Sequence, residues 1–106
     1  MLRSFLAALF RARPLPGLEH LHVVLYTRPG CHLCDRAWDQ LRKEQARYRF
    51  RLSRVNVDAD AALAARYGEL VPVVTVNGKE RFRGGINGVL WRRLLRAEAN
   101  VRGRRR

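Results

Sequence analysis

The sequence predicts one α/β domain: a four-stranded mixed sheet with flanking helices in the order β-α-β-α-β-β-α, plus an N-terminal amphipathic helix. Three observations carry this reading. The continuous apolar, β-branched run Leu21-His-Val-Val-Leu-Tyr-Thr27 ends at the breaker Pro29-Gly30, and an amphipathic helical stretch follows. A second strand and a short helix come next. Two further strand-like runs, Leu70–Val76 and Lys79–Arg83, then flank Asn77-Gly78, a pair suited to a two-residue hairpin turn because both turn positions need φ > 0. At 106 residues, with 47% apolar and 29% charged residues, the chain has the composition and length of a folded domain.

Each element has its own reason. At the N-terminus, Leu2, Phe5, Leu6, Leu9 and Phe10 recur at helical spacing, so one face of a helix is apolar. Three roles stay open for it: a helix packed on the domain, a membrane-surface or partner-binding helix through residues 2–13, and an organellar presequence. Pro14-Leu-Pro-Gly17 ends it as a linker. The unbroken apolarity of Leu21–Thr27 predicts a strand buried on both faces. The helix from Asp35 puts Cys34, Ala37, Trp38 and Leu41 on its inner side and pairs Asp39 with Lys43 at i,i+4. Tyr48, Phe50 and Leu52 alternate with arginines, and Val55 and Val57 continue in the opposite parity, which predicts a strand with a slip or bulge near Ser53. Asp58 is the expected N-cap of a helix over Ala59–Tyr67 that Gly68 terminates. Gly84-Gly85 breaks the last strand, and Asn87 caps a final helix with Leu90, Trp91, Leu94 and Leu95 on its inner face. The domain is expected over 18–98, preceded by helix and linker 1–17 and followed by a basic tail 99–106.

The formal charge is +13, from 22 basic and 9 acidic residues. Arg3, Arg11 and Arg13 lie in the first 16 residues without an acid, and the tail Arg102-Gly-Arg-Arg-Arg106 adds four arginines, leaving +6 for residues 17–101. No stretch reaches the roughly 18–20 apolar residues of a membrane-spanning helix, and a cytoplasmic location is expected. The charge permits a nucleic-acid or acidic-partner binding module. No aromatic stacking stripe accompanies it, since Trp38 and Trp91 fall on apolar helix faces, and nucleic acid is not the expected partner.

Both cysteines lie in Cys31-His-Leu-Cys34, at the junction of strand and helix. A disulfide closing so small a loop is poor structural cement. A thiol at a helix N-terminus meets free N–H groups and the positive end of the helix dipole, which stabilise a thiolate. The alternative chemistry is metal binding, with Cys31 and Cys34 as half of a zinc shell and His20 and His22 completing it. That arrangement has to bridge the length of the first strand at ~3.3 Å per residue. A cluster shared between two copies is a separate form of the same idea. No metal site is expected.

The order of elements, with Tyr26-Thr-Arg-Pro-Gly-Cys-His-Leu-Cys34 after the first strand and Tyr67-Gly-Glu-Leu-Val-Pro-Val73 opening the third, resembles the thioredoxin fold in its glutaredoxin form and is most similar to small bacterial glutaredoxin-like proteins. The resemblance covers about Leu21 to Leu95. It implies a thiol–disulfide oxidoreductase of cell redox homeostasis, with Cys31 as nucleophile and Cys34 as resolving thiol. It implies a cis peptide at Val71-Pro72 beside the sulfurs, whose backbone pairs with a bound peptide or glutathione. Read alone, Pro72 is as well a strand-start proline. The resemblance places Arg28 near the glutathione carboxylate, where it also attracts a thiolate; the plain alternative is a solvated arginine. Gly84, Gly85 and Asn87 correspond to the segment that holds the glutamyl end of glutathione. His32 either favours the thiolate when protonated or is simply a solvated residue at the helix start.

The chain departs from the family pattern at several positions. Gly88 stands where glutathione binders have an aspartate, Glu69-Leu70 where they often have Arg and Thr, and His32-Leu33 where dithiol glutaredoxins have Pro-Tyr. The first strand lacks the buried acid of thioredoxins. The partners this implies are a disulfide-containing protein or glutathione, with glutathione as a co-substrate rather than a permanently bound cofactor, and a monomer is expected.

Overall fold

The computed structural model describes residues 18–104. The helix and membrane-surface contact expected within residues 1–17 lie outside the described residues. From Leu18 onward the elements are β1 (His22–Thr27), α1 (His32–Tyr48), β2 (Arg51–Asn56), a 3-10 turn (Val57–Ala59), α2 (Ala61–Tyr67), β3 (Val73–Val76), β4 (Lys79–Arg83) and α3 (Gly88–Arg104). The sheet order is β2-β1-β3-β4. β1 pairs in parallel with β2 and antiparallel with β3, and β3 pairs antiparallel with β4. The fold is thioredoxin-like, as the order of elements implies.

Alternation along β1 and β3 divides the core between the two sheet faces. On one face Leu21, Val23, Leu25, Val74 and Val76 pack with Ala37 and Leu41 of α1, Phe50, and Trp91 and Leu95 of α3. On the other, Val57, Tyr67 and Val73 form a smaller cluster joined by Tyr26, Leu63, Leu70 and Val71. The rings of Tyr26 and Tyr67 meet there at 4.7 Å between centroids. β1 is therefore not buried equally on both sides: Leu21, Val23 and Leu25 are fully buried, whereas His22, Val24 and Tyr26 are half-buried. α2 has only seven residues, and its Tyr67 reaches the Tyr26–Val73 end of the sheet.

Several sequence expectations are corrected by local hydrogen bonding. α1 runs through Tyr48 and ends at Arg49, which takes the left-handed conformation (φ 61°) and donates its N–H to the Gln45 carbonyl. The second strand consequently starts at Arg51, and its register with β1 runs without a slip from His22–Arg51 to Thr27–Asn56. The bulge lies instead between β3 and β4, at Val74/Thr75. Asp58 does not cap α2: Asn56 Oδ1 accepts the Asp58 N–H, which turns the chain through the 3-10 turn, and Asp60 Oδ1 accepts from Ala62 and Leu63 at 2.9 and 3.2 Å. On α3, Trp91 and Leu95 are buried but Leu90 is exposed. That helix continues to Arg104, into the stretch 99–106 expected as a basic tail. Asp39 and Lys43 form no ion pair; among the described residues the ion pairs are Arg28–Asp58, Arg54–Asp35 and Arg83–Glu80, and His20 Nε2 lies 3.8 Å from Glu98. The Asn77-Gly78 turn is as expected, with φ of 49° and 82°. Asn77 also ties the hairpin to β1, its Oδ1 accepting the His22 N–H at 2.8 Å. No helix among the described residues is long and apolar enough to cross a membrane.

Candidate active site

β1 delivers its carboxyl end to the turn Arg28-Pro-Gly30, where Gly30 takes φ 77° and so suits a residue without a side chain. Cys31 follows as the N-cap of α1, with extended backbone angles of −96° and 104°. Its Sγ accepts the backbone N–H of Cys34 at 3.1 Å, the place that a serine or aspartate oxygen takes at an ordinary N-cap. Cys31 is partly exposed, while Cys34, one turn deeper, is fully buried against the core. The two sulfurs are joined in a disulfide with Cα atoms 5.2 Å apart. His32 and Leu33 between them are exposed.

β4 runs parallel to β1, because each is antiparallel to β3. The starts of α1 and α3 and the beginning of β3 therefore share one end of the sheet. Val71-Pro72 is a cis peptide there, with Pro72 buried and Val71 lying just outside the ladder that begins at Val73. The Pro72 carbonyl accepts the N–H of Gly84 at 2.8 Å, which fastens the Gly84-Gly85 segment beside the proline. Gly84 and Gly85 have φ of 79° and 156°, and nothing stands within 4 Å of where their side chains would be. Gln40 of α1 donates to the Ile86 carbonyl at 3.3 Å and binds the same segment to the cysteine-bearing helix. Asn87 caps α3, its Oδ1 accepting from Val89 and Leu90, each at 3.0 Å.

Arg28 does something the sequence did not suggest. Its Nη2 donates to Asp58 Oδ1 at 2.9 Å and its Nη1 to the Gly68 carbonyl at 2.8 Å. The hydrogen bond and charge of Asp58, aided at longer range by Glu69, raise the guanidinium pKa against a small opposing effect of desolvation. The guanidinium thus ties the turn after β1 to the 3-10 turn and to the end of α2. Gly68 matters for this contact: a Cβ there would lie 3.0 Å from Arg28 Nη2 and 2.5 Å from the Ala64 carbonyl oxygen. Gly68 has ordinary right-handed helical angles, so close approach is what requires glycine. Asp58 as the partner of Arg28 and the Gly68 contact were both missed in the sequence; an acid two residues before a better N-cap was their one available signal.

The alternative metal set is not assembled. His22 Nε2 lies 2.8 Å from Ser53 Oγ, and His20 lies 3.8 Å from Glu98. Among the described residues no three His, Cys, Asp or Glu side chains are grouped as a metal ion would require.

A thioredoxin-like sheet with a dithiol pair at disulfide distance on the first helix start is a thiol–disulfide oxidoreductase fold. A mutant thioredoxin from Halobacterium salinarum has that fold, matching 74% of this chain and 74% of its own length at a TM-score of 0.58 and 17% identity. The chain belongs to the glutaredoxin-like domain family (DUF836), which matches residues 22–96. The chain is also similar to the structural genomics target protein XcR50 from X. campestris, at 33% identity and a TM-score of 0.58, over 71% of this chain and 96% of that one. The uncharacterized protein Rv0508 of Mycobacterium tuberculosis is 35% identical over 63 residues, 55% of this chain. The chain spans 65% of the length of that relative.

Proposed function

We propose that the protein reduces disulfides through Cys31 and Cys34. The observation that carries this is the placement of the two sulfurs: Cys31 caps a helix and reaches solvent, and Cys34 is buried one turn below within bonding distance. In the dithiol form, the Cys31 thiolate attacks one sulfur of a substrate disulfide. A mixed disulfide forms, the substrate S–S bond breaks, and the leaving thiolate takes a proton from solvent. Cys34, deprotonated by solvent, then attacks Cys31 Sγ. The Cys31–Cys34 disulfide forms, the second substrate thiol leaves, and two electrons have passed from protein to substrate. A thiol reductant, either glutathione or a protein dithiol, restores the pair.

Two features favour the first step. The Cys34 amide and the α1 dipole stabilise negative charge on Cys31 Sγ. The backbone of Val71, outside the sheet ladder, offers an extended substrate segment a place to pair in the manner of an added strand. Val71, Pro72, Gly84, Gly85 and Asn87 form the rim of the substrate site in this reading, and His32 flanks the nucleophile.

Replacing Cys34 by Ser tests it. The variant should accumulate a mixed disulfide on Cys31 with a disulfide substrate, and Cys31→Ser should form none. Turnover that survives in Cys31→Ser would refute the reading.

A further inference from the structure

Among the described residues, three large apolar side chains are half or more exposed: Leu33 (53%), Val89 (58%) and Leu90 (50%). All three lie in the first turns of α1 and α3, the two helices that start at the disulfide end of the sheet. Isolated exposed apolar residues are ordinary, but their concentration at one end of the molecule marks a contact surface. Beyond the buried Trp91, α3 carries Arg92 and Arg93 and, about a turn later, Arg96, all three exposed. The one acid of α3, Glu98, lies beside His20. Gly88 adds to the charge, because a Cβ there would lie 3.8 Å from Arg92 Nη2, so that guanidinium reaches back over the helix start. At the end of α2, Glu69 and Asp58 stand with Arg28. The rim of the site is thus basic and apolar on its α3 side and of mixed charge on its α2 side.

We infer that this α3 rim docks the substrate, and that the substrate is an acidic protein segment with apolar side chains next to its disulfide. The inference rests on the disulfide-reducing reading above and adds the substrate class to it. Leu33, Val89 and Leu90 supply the area that excludes water around the exchanging sulfurs. Arg92, Arg93 and Arg96 select and steer negative charge, which acts chiefly on association rate and is weakened by salt.

The test uses the full reduced chain and two synthetic peptides, each closed by one disulfide and flanked by leucines, one with glutamates and the other with lysines. The glutamate peptide should be reduced about tenfold faster in second-order rate at low salt, and the gap should close in high salt. Replacing Arg92 and Arg93 by Glu should reverse the order. Equal rates for the two peptides, or a preference that high salt leaves intact, would overturn the docking inference while disulfide reduction stands. An RNA oligonucleotide that inhibits reduction of the glutamate peptide at lower concentration than the same peptide with its cysteines replaced by serine does would also overturn it. Failure to reduce either peptide, with both thiols titratable, would remove the disulfide-reducing reading and this inference together.

Discussion

Cys31 Sγ accepts the N–H of Cys34 at 3.1 Å, so one sulfur caps the helix in which the other is buried. The two cysteines are three residues apart and chemically inequivalent. One faces solvent and a positive helix end; the other is fully buried. The order of events in thiol–disulfide exchange follows from that inequality, since a buried sulfur can meet only what is already attached to its neighbour.

The first prediction concerns alkylation. In the reduced protein, Cys31 should react with iodoacetamide about tenfold or more faster than Cys34, because the thiolate is the reacting form and only one of the two sites favours and exposes it. Its rate should reach half-maximum at a pH below about 8.5, the range of an ordinary thiol. Mass mapping of the modified peptides across a pH series measures both. Equal labelling of the two positions would sink the assignment of roles.

Much of this fold could be read in the sequence, and the parts that could not share a cause. The Asn77-Gly78 turn and the Asn87 cap are encoded within a few residues, where backbone geometry demands particular side chains. The end of α1 was misplaced because Arg49 adopts a left-handed angle that glycine usually takes, stabilised by its N–H bond to Gln45 and by Phe50 turning into the core. Asp58 offered as good a cap as Asp60 on paper; Asn56 decided between them by capturing the Asp58 amide. Of the site, the cysteines, the proline and the glycine pair were visible as local motifs. The partners of Arg28 were not legible, since Asp58 and Gly68 are 30 and 40 residues away in sequence and no short-range pattern announces them.

Trp91 tests the packing that holds the two site helices on one face. It is fully buried, with Phe50 edge-on at 5.5 Å and Phe82 at 6.2 Å, and its Nε1 has no hydrogen-bond partner among the described residues. Trp91→Ala should cost about 3–5 kcal/mol through the lost contacts and the cavity. Trp91→Phe keeps much of the ring and removes an unsatisfied donor, so it should cost under about 2 kcal/mol. Urea unfolding of both variants measures the difference; equal costs would show that the indole nitrogen is bonded.

Arg28 gives a prediction about pH. Its pairing with Asp58 raises the guanidinium pKa in the folded state. A raised pKa contributes stability that is complete below the unfolded value and is lost only as pH climbs through the folded one, and a guanidinium stays protonated throughout the range in which the protein can be studied. Arg28→Gln should therefore lower the denaturation midpoint by the same amount throughout the range from about pH 6 to about pH 10. A difference that shrinks over that range would mean that some other group titrates with this pair.

Gly68 carries the last prediction, because two effects of opposite sign meet there. Its backbone is ordinary right-handed helix, so alanine would restrict the unfolded chain and favour the native angle by up to about 1 kcal/mol. Against this, the added Cβ would lie 2.5 Å from the Ala64 carbonyl oxygen and 3.0 Å from Arg28 Nη2. The first of these is backbone and cannot swing aside; relieving such overpacking costs about 1–3 kcal/mol. The clash should win, and Gly68→Ala should be less stable than the parent chain. Part of the cost belongs to the Arg28 contact, so the same substitution made in an Arg28→Ala background should cost less. A double-mutant cycle by urea unfolding measures that coupling. An alanine at 68 that stabilises the protein would show that the end of α2 relaxes freely and that the Arg28 clamp does not hold it.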